Sequence, residues 1–198
     1  KKSKLISEYI VSTDDEEISR VAQMCGAQTP FLRPKNLASD TASSTSALQH
    51  AVEFMESEKK IKYDFIIELM CTNPLKKVED IDACLKKIIE SNADSVIAVH
   101  KLDDHHPIRI KKIINDRIVD FCLPEPRDSR RQDLKPDAYI RSGSIYAIKR
   151  NELMEHGRRY GTENSLAYIL PPERAVNVDS NIDFLLAETL IKNKSYIE

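Results

Sequence analysis

The amino-acid sequence predicts an α/β fold with a parallel sheet, formed by one domain that spans residues 1–198. Two observations indicate this fold. Segments typical of strands and of helices alternate along the first half of the chain, which is the arrangement of α/β proteins. Within this pattern, residues 63–70 form a nearly continuous apolar run, as found in parallel strands that are buried on both faces. The chain is also long enough to bury a hydrophobic core of its own.

The first half of the chain contains three predicted strands, three predicted helices and, at its start, the end of another helix. Residues 1–6 have the character of the end of a helix, and residues 9–13 that of a strand. Asp14 and Asp15 stand where an N-cap and a first helical turn are expected, and Gly26 is placed to end that helix. Further helices are predicted at residues 46–59 and 78–90, and further strands at residues 63–70 and 95–100.

The pattern changes at Asp103, because no long helix fits the residues that follow it. Short β-like runs at 108–114 and 118–123 predict a small β lobe, with bounds of 104–140, that projects from the sheet. The sheet then resumes, with strands predicted at 144–148, 167–170 and 175–178 and helices at 151–156 and 181–191.

The composition argues against a role that depends on net charge. The 30 basic and 32 acidic residues nearly balance, so neither nucleic acid nor a membrane surface is an expected partner. No apolar run approaches the roughly 20 residues of a membrane span. The four cysteines are scattered without metal-site spacing, and we interpret them as reduced thiols of a cytoplasmic protein.

Residues 31–44 are the strongest candidate for a nucleotide site. Arg33 offers a forked cation that suits phosphate, and Ser43 and Ser44 lie where a helix is predicted to begin. The first N–H groups of a helix are unpaired and lie at its positive end, so they bind anions readily. The alternative is a loop with an ordinary serine N-cap.

Polar residues also follow several predicted strands, where ligands of open α/β sheets collect. Thr72, His100 and Asp179 are placed in this way and predict one shared site, although they could also be turn residues and caps. Asn177 and Asp179 lie two apart in a predicted strand, so their oxygens face one direction and suit Mg²⁺. The alternative for Asp179 is the N-cap of the last helix.

Several motifs together resemble one known family, the N-acylneuraminate cytidylyltransferases (CMP-sialic acid synthetases). The resemblance covers nearly the whole chain and rests on IVSTDDEEI, FLRPKNLASDTASS, TNPLKKVEDI, DHHPIRI, RRQDL, SGSIY and VNVDSNIDFLLAE. It implies a three-layer Rossmann-like nucleotide-diphospho-sugar transferase fold with a small β dimerisation lobe. It also implies Mg²⁺-dependent transfer of CMP from CTP to the anomeric hydroxyl of a nonulosonic (nine-carbon, sialic-type) acid, with release of pyrophosphate.

The resemblance also implies roles for individual residues. Arg131 becomes a catalytic and substrate-binding residue that faces the carboxylate of the sugar acid, beside Gln132. Tyr146 and Tyr160 become aromatic walls of the sugar pocket, and Arg109 a basic residue that reaches across a homodimer. Arg33, Ser43, Ser44 and Thr72 become nucleotide-binding residues, and Asp179 with Asn177 the metal site. From composition alone, the charges around Arg131 are a solvated surface run.

Three positions depart from the family pattern. Met70 replaces a glutamine and Ser142 an asparagine at positions that bind substrate, and Asn177 replaces the first of two aspartates at the metal site. These departures leave the identity of the sugar open. The glycine- and basic-rich loop with which the family opens is absent. We therefore expect about 30 residues ahead of Lys1, by analogy with one βαβ unit, or else a paralogue that has lost the loop.

Other functions remain open at this point. The chain is alternatively a guanylyl- or cytidylyltransferase for another acidic keto sugar, such as a legionaminic, pseudaminic or deoxyoctulosonic acid. From other classes, it is a non-catalytic nucleotide-binding subunit, or a purely structural dimer. The apolar residues of the 104–140 lobe predict a homodimer in which the two chains share their active sites.

Overall fold

The structure, a computed structural model, describes residues 2–193 and contains five α-helices and six strands within them. The helices are α1 Glu16–Met24, α2 Ser44–Lys59, α3 Val78–Ser91, α4 Arg150–Met154 and α5 Asn181–Lys192. The strands are β1 Phe65–Leu69, β2 Ser95–Lys101, β3 Lys111–Ile114, β4 Arg117–Asp120, β5 Tyr139–Lys149 and β6 Ser165–Ile169. No helix within this part of the chain is long and apolar enough to cross a membrane.

The described chain divides into two compact units. The first contains residues 2–70, 77–97 and 145–168, and the second contains residues 71–76, 98–144 and 169–193. The predicted helices at 46–59, 78–90 and 181–191 are confirmed as α2, α3 and α5.

The main sheet has the strand order β1-β5-β2-β6 and is mixed rather than purely parallel. Strand β5 runs antiparallel to β1, with Phe65 opposite Lys149 and Leu69 opposite Ile145. Strands β2 and β6 run in one direction, because Asp94 N donates to Asn164 O at one end and Leu170 N to Val99 O at the other. The α/β prediction is confirmed, and within the predicted parallel sheet β5 is a strand that runs antiparallel to its neighbour β1. This strand follows the small β lobe rather than a crossover helix. Only parallel neighbouring strands require such a crossover connection.

In the first unit, α2 and α4 cover one face of the sheet. The core there consists of buried apolar side chains from both helices and from β2 and β5: Val52, Ile97, Tyr146, Ile148 and Leu153. The side-chain amide of Gln49 on α2 donates to the carbonyl of Leu153 on α4 at 2.8 Å, which joins the two helices. This core fixes the face of the sheet on which two predicted pocket residues, Met70 and Tyr146, lie.

The N-terminal segment differs from its prediction. Residues 2–6 are not helical, because the hydroxyl of Ser3 accepts from the N–H groups of Leu5 and Ile6 and holds a turn there. Residues 9–13 are extended but form only isolated parallel bridges, Ile10 with Gln28 and Thr13 with Leu32.

The second unit contains the small β lobe as an antiparallel hairpin. Strands β3 and β4 pair from Lys111–Asp120 to Ile114–Arg117. The turn residues Asn115 and Asp116 have positive φ values of 49° and 62°, as a two-residue type I′ hairpin turn requires. The short β-like runs are thus confirmed.

The strand predicted at residues 175–178 is absent. The chain leaves a 3₁₀ turn at Pro172–Arg174 and continues as irregular extended backbone. Pro171 and Pro172 lack backbone N–H donors, which disfavours a paired strand at this point.

Candidate functional site

The N-terminus of α2 lies where the sequence predicted it. Ser43 is its N-cap, and the Ser43 hydroxyl accepts from the backbone N–H of Ser46 at 3.0 Å. Ser44 is the first residue of the helix. The serine N-cap is therefore present, and the nucleotide-binding role of the two serines stays a prediction.

Arg33 is fixed within the same unit. Its Nε donates to the hydroxyl of Ser12 at 3.2 Å, and its Nη2 donates to the carbonyl of Ser12 at 2.5 Å. The backbone N–H of Arg33 donates to Thr13 O at 2.8 Å. An arginine has five N–H donors, so these side-chain bonds orient the guanidinium without using its full capacity.

The first unit also brings together three residues predicted to bind the sugar. Tyr146 is buried in the core, Tyr160 is 36% exposed, and Met70 packs against the same core cluster. The two tyrosine rings are 5.8 Å apart between centroids and tilted by 31°. The arrangement is an aromatic wall whose outer part, Tyr160, faces solvent.

An ion pair that was not predicted from the sequence lies beside this wall. The Arg159 guanidinium lies over Tyr146, with its central carbon 4.6 Å from the ring centroid, and bonds to the carboxylate of Glu68. Burial raises the pKa of Glu68, while the nearby Arg159 charge lowers it. A signal was present: Glu68 is an acidic residue within the apolar run of β1, where an unpaired charge is unfavourable.

In the second unit, the side chains of Asn177 and Asp179 contact each other, but the two residues do not lie in a strand and their oxygens do not face one direction as predicted. The Asn177 side-chain amide donates through Nδ2 to Asp179 Oδ2 at 2.6 Å. The other end of the amide, Oδ1, is buried and has no hydrogen-bond partner in the described part of the chain. It lies near Gly143, where an added Cβ would come 3.5 Å from it. Asn177 thus presents an N–H group to Asp179, and its oxygen points elsewhere.

Asp179 is not the N-cap of α5, so that alternative is wrong. The cap is Ser180, which forms a reciprocal capping box with Asp183. The carboxylate of Asp183 accepts from the backbone N–H of Ser180 at 2.8 Å and of Asp179 at 3.1 Å. The hydrogen bond from the Ser180 hydroxyl is the main reason that the pKa of Asp183 is lowered. The carboxylate of Asp179 is exposed and takes no part in capping.

A buried asparagine fixes the backbone before Asp179. Asn73 is fully buried, and its side-chain amide donates to Val176 O at 2.9 Å and Arg174 O at 3.3 Å. The carbonyl of Thr72 accepts from the N–H of Val178 at 2.8 Å. The turn after β1 therefore holds residues 174–178 by several bonds. The sequence placed Thr72 at a strand end but did not predict this contact of its neighbour Asn73.

Among residues 2–193, no hydrogen bond or ion pair joins the other predicted residues of the second unit to one another. Arg109 donates to Ser129 O at 3.1 Å and lies 3.7 Å from Glu125. Arg131 and Gln132 are exposed in the 3₁₀ turn Arg131–Asp133. Ser142 is buried and donates its hydroxyl to Ala98 O at 2.9 Å. Because that hydroxyl is used internally, direct contact between Ser142 and a substrate is disfavoured.

The side chains present here suit a cation that is held mainly by water and substrate phosphates and by few protein groups. Within residues 2–193, no group of three His, Cys, Asp or Glu side chains could hold a metal ion. Mg²⁺ is commonly bound through one or two carboxylates together with water and substrate phosphates. An exposed Asp179 carboxylate fits that pattern, with Asn177 as a neighbour that donates a hydrogen bond to it.

Comparison with known proteins decides the family. The sequence profile of the cytidylyltransferase family matches residues 1–162. This chain belongs to the cytidylyltransferase family. The resemblance to the N-acylneuraminate cytidylyltransferases, stated above from motifs, is confirmed.

Three relatives of this family member have different sugar acids in their names. It is 31% identical over 191 residues to a pseudaminic acid cytidylyltransferase of Campylobacter jejuni (96% of this chain, 80% of the relative). It is 28% identical over 193 residues to a CMP-N,N'-diacetyllegionaminic acid synthase of the same species (98% and 80%). It is 26% identical over 205 residues to an N-acylneuraminate cytidylyltransferase of Escherichia coli (98% and 44%).

Solved structures show the same fold. A CMP:2-keto-3-deoxy-manno-octonic acid synthetase complexed with CTP matches with a TM-score of 0.66 and 16% identity, over 98% of this chain and 84% of that one. A putative glucose-1-phosphate thymidylyltransferase from Bacillus anthracis matches with a TM-score of 0.51 and 12% identity, over 88% and 70%. This cytidylyltransferase therefore has the Rossmann-like nucleotide-diphospho-sugar transferase fold.

Lys76, in the turn that holds residues 174–178, gives a stability prediction. Burial lowers its pKa to about 8, although its ammonium donates to Asn73 O. In the unfolded chain, Lys76 has the ordinary pKa of 10.5. Between about pH 8 and 10.5 the unfolded state therefore binds more protons than the folded state, so the free energy of unfolding rises with pH. We expect Lys76→Met to be more stable than the wild type at pH 7, by about 1 kcal/mol.

The measurement is urea unfolding of both proteins between pH 7 and 10.5. The difference between their free energies of unfolding should shrink as the pH rises through this range. Lys86→Met, at a 70% exposed side chain, is the control and should show no such trend. A constant destabilisation of Lys76→Met at every pH would instead mean that its hydrogen bonds outweigh its burial.

Proposed function

We propose that this chain transfers CMP from CTP to the anomeric hydroxyl of a nonulosonic acid, with release of pyrophosphate. Membership of the cytidylyltransferase family supports the nucleotidyl transfer, and the names of the relatives support a nonulosonic acid. The observation that carries the proposal is the Asp179 carboxylate, which is exposed, hydrogen-bonded by Asn177 and released from helix capping by Ser180. Pseudaminic, legionaminic and sialic acids are equally supported as acceptors.

In this reaction the anomeric oxygen forms a bond to the α-phosphorus of CTP, and the bond to the pyrophosphate oxygen breaks. The hydroxyl proton passes to solvent. Such transfers depend mainly on positioning and on neutralising charge. When bound, Mg²⁺ supplies charge neutralisation at the phosphates, and Asp179 is the residue that would hold it.

The remaining roles divide between the two units. In the first unit, Arg33 and the α2 N-terminus at Ser43 and Ser44 bind the anionic nucleotide, since unpaired N–H groups and the helix dipole favour phosphate there. Met70, Tyr146 and Tyr160 form the wall for the sugar.

In the second unit, Arg131 and Gln132 bind the acceptor carboxylate. Their exposure in a 3₁₀ turn leaves them open to a ligand, and an arginine fork suits a carboxylate. Thr72 takes part in nucleotide binding through the turn that holds residues 174–178.

We also propose a homodimer formed through the lobe. The hairpin exposes large apolar side chains, with Ile113 75% and Ile118 74% exposed and Phe121 and Leu123 exposed nearby. A monomer rarely leaves such a patch in water, and two-fold packing would bury it. Arg109 lies at the base of the same lobe and would reach the partner's acceptor.

The Asn177→Asp variant tests the metal role. It exchanges an N–H donor for a second carboxylate beside Asp179, so a divalent cation gains a charged ligand. We expect the affinity for Mg²⁺ to rise about tenfold, measured by calorimetric titration with Mg²⁺ in the presence of CTP. Asn177→Ser, which adds no charge, is the matched control. Unchanged or weaker binding in Asn177→Asp would place this position outside the metal shell.

The decisive test of the function is pyrophosphate release by the full-length protein with each nucleoside triphosphate and a panel of keto-sugar acids. We expect release with CTP and at least one nonulosonic acid. Release with GTP alone, or with deoxyoctulosonic acid alone, would replace the proposal by the corresponding transferase. Nucleotide binding without release from any pair would indicate a non-catalytic subunit, which the neutral Asn177 beside Asp179 also allows.

A further inference from the structure

The Glu68–Arg159 ion pair lies against the two tyrosines of the aromatic wall. We propose that Arg159, held by Glu68, is a positioning residue that fixes the planes of Tyr146 and Tyr160 and thereby sets the affinity for the acceptor. This inference rests on the proposed function of the wall, to which it adds the two charged residues that keep it in place.

The strand register places the pair on the wall's own face of the sheet. Glu68 on β1 is directly opposite Tyr146 on β5. Opposite residues of an antiparallel pair project from the same face with their Cβ atoms about 5 Å apart. Arg159, in the loop after α4, bonds to the Glu68 carboxylate and lies over the Tyr146 ring. One guanidinium therefore joins both members of the cross-strand pair.

The same guanidinium also reaches the exposed end of the wall. Its central carbon is 4.6 Å from the Tyr146 centroid and 5.9 Å from the Tyr160 centroid. Both distances lie within the roughly 6 Å range of cation–π attraction. Tyr160 is partly exposed and follows Arg159 directly in the chain, so a displacement of Arg159 would also displace its neighbour Tyr160.

Burial makes the pair interdependent. The Arg159 side chain is only 16% exposed, and that of Glu68 12%. Within residues 2–193, the Nε of Arg159 is buried without a hydrogen-bond partner, and the guanidinium contacts Glu68 and the two tyrosine rings. Removing one partner would leave the other charge buried and unpaired, which destabilises strongly, whereas replacing both by apolar residues is often neutral. A clean test therefore needs the double replacement as well as the single one.

The kinetic test compares Arg159→Leu, Arg159→Lys and the double variant Glu68→Leu/Arg159→Leu with the wild type. In Arg159→Leu and in the double variant we expect the acceptor KM to rise about tenfold, with kcat within about twofold and the KM for CTP unchanged. Arg159→Lys should recover part of the loss, because it keeps the charge but not the planar stack. The matched control is Arg158→Leu, since Arg158 is 59% exposed and pairs with Glu152 instead.

A spectroscopic readout separates this inference from the proposed function. The chain has seven tyrosines and no tryptophan, so 3-fluorotyrosine labelling gives few ¹⁹F resonances. Tyr160→Phe and Tyr146→Phe assign two of them. Arg159→Leu and the double variant should move both resonances, and Arg158→Leu should move neither.

If both resonances move and the acceptor KM rises alone, the inference holds. If the double variant keeps the wild-type acceptor KM or leaves the resonances in place, the inference is overturned while the proposed function stands. A parallel loss of kcat, both KM values and melting temperature would reduce the pair to a structural element. If the wild type uses no acceptor, the proposed function fails, and the acceptor role of Arg159 fails with it.

Discussion

Asp179→Ala is expected to abolish turnover, by about a thousandfold or more, while the protein remains folded. The carboxylate is exposed, and the start of α5 is capped by Ser180 and Asp183 without it. Removing it therefore costs one hydrogen bond from Asn177 and no cap. We expect a change in melting temperature of at most about 3 °C. Pyrophosphate release and thermal unfolding measure the two effects on one preparation.

Ser180→Ala is the matched control, because it changes the neighbouring residue and is expected to affect stability rather than activity. It removes the cap of α5 and should lower stability by about 1 kcal/mol while leaving most of the activity. If Asp179→Ala instead loses stability and activity in proportion, the carboxylate supports the fold rather than the reaction.

Mixing two inactive variants should restore activity if the active sites are shared. In a random mixture of Arg109→Ala and Asp179→Ala subunits, half of the dimers are mixed, and each mixed dimer has one site with both residues intact. We therefore expect about a quarter of the wild-type activity. The measurement is pyrophosphate release after subunit exchange, with sedimentation to establish the dimer.

The controls follow from the contacts of Arg109. It bonds to Ser129 O, so its removal affects the lobe as well as the proposed acceptor contact. Lys111→Ala removes a different lobe contact, the ion pairs with Asp120 at 2.5 Å and Glu125 at 2.7 Å, and should keep both dimer and activity. Confirmed exchange without recovered activity would contradict shared sites, and sedimentation as a monomer would contradict the dimer.

The features that sequence predicted well have local causes. Helices α2, α3 and α5 carry their own start signals, such as Ser43 ahead of α2. The β3–β4 hairpin follows from Asn115 and Asp116, whose side chains tolerate positive φ. Propensity, capping and turn chemistry act over a few residues, so a single sequence contains them.

The features that were missed depend on contacts between distant parts of the chain. Glu68 and Arg159 are 91 positions apart, and only the sheet register brings Glu68 opposite Tyr146. Asn73 binds Val176 O from 103 positions away. The misassigned cap has a local cause instead: Ser180 with Asp183 is a complete capping box, and it stands one residue after Asp179.

The proposed metal role belongs to Asp179 and the capping of α5 to its neighbour Ser180. Because the two roles lie on separate residues, one can be lost in evolution without the other. Under the proposed role of Asp179, a substitution there inactivates the protein without unfolding it for proteases or chaperones, since Ser180 caps the start of α5. A duplicated gene can therefore evolve into an inactive copy that still folds and, if the proposed dimer forms, still pairs with the active copy. In such a mixed population, the inactive subunit would lower the activity of the proposed dimer by replacing one active subunit.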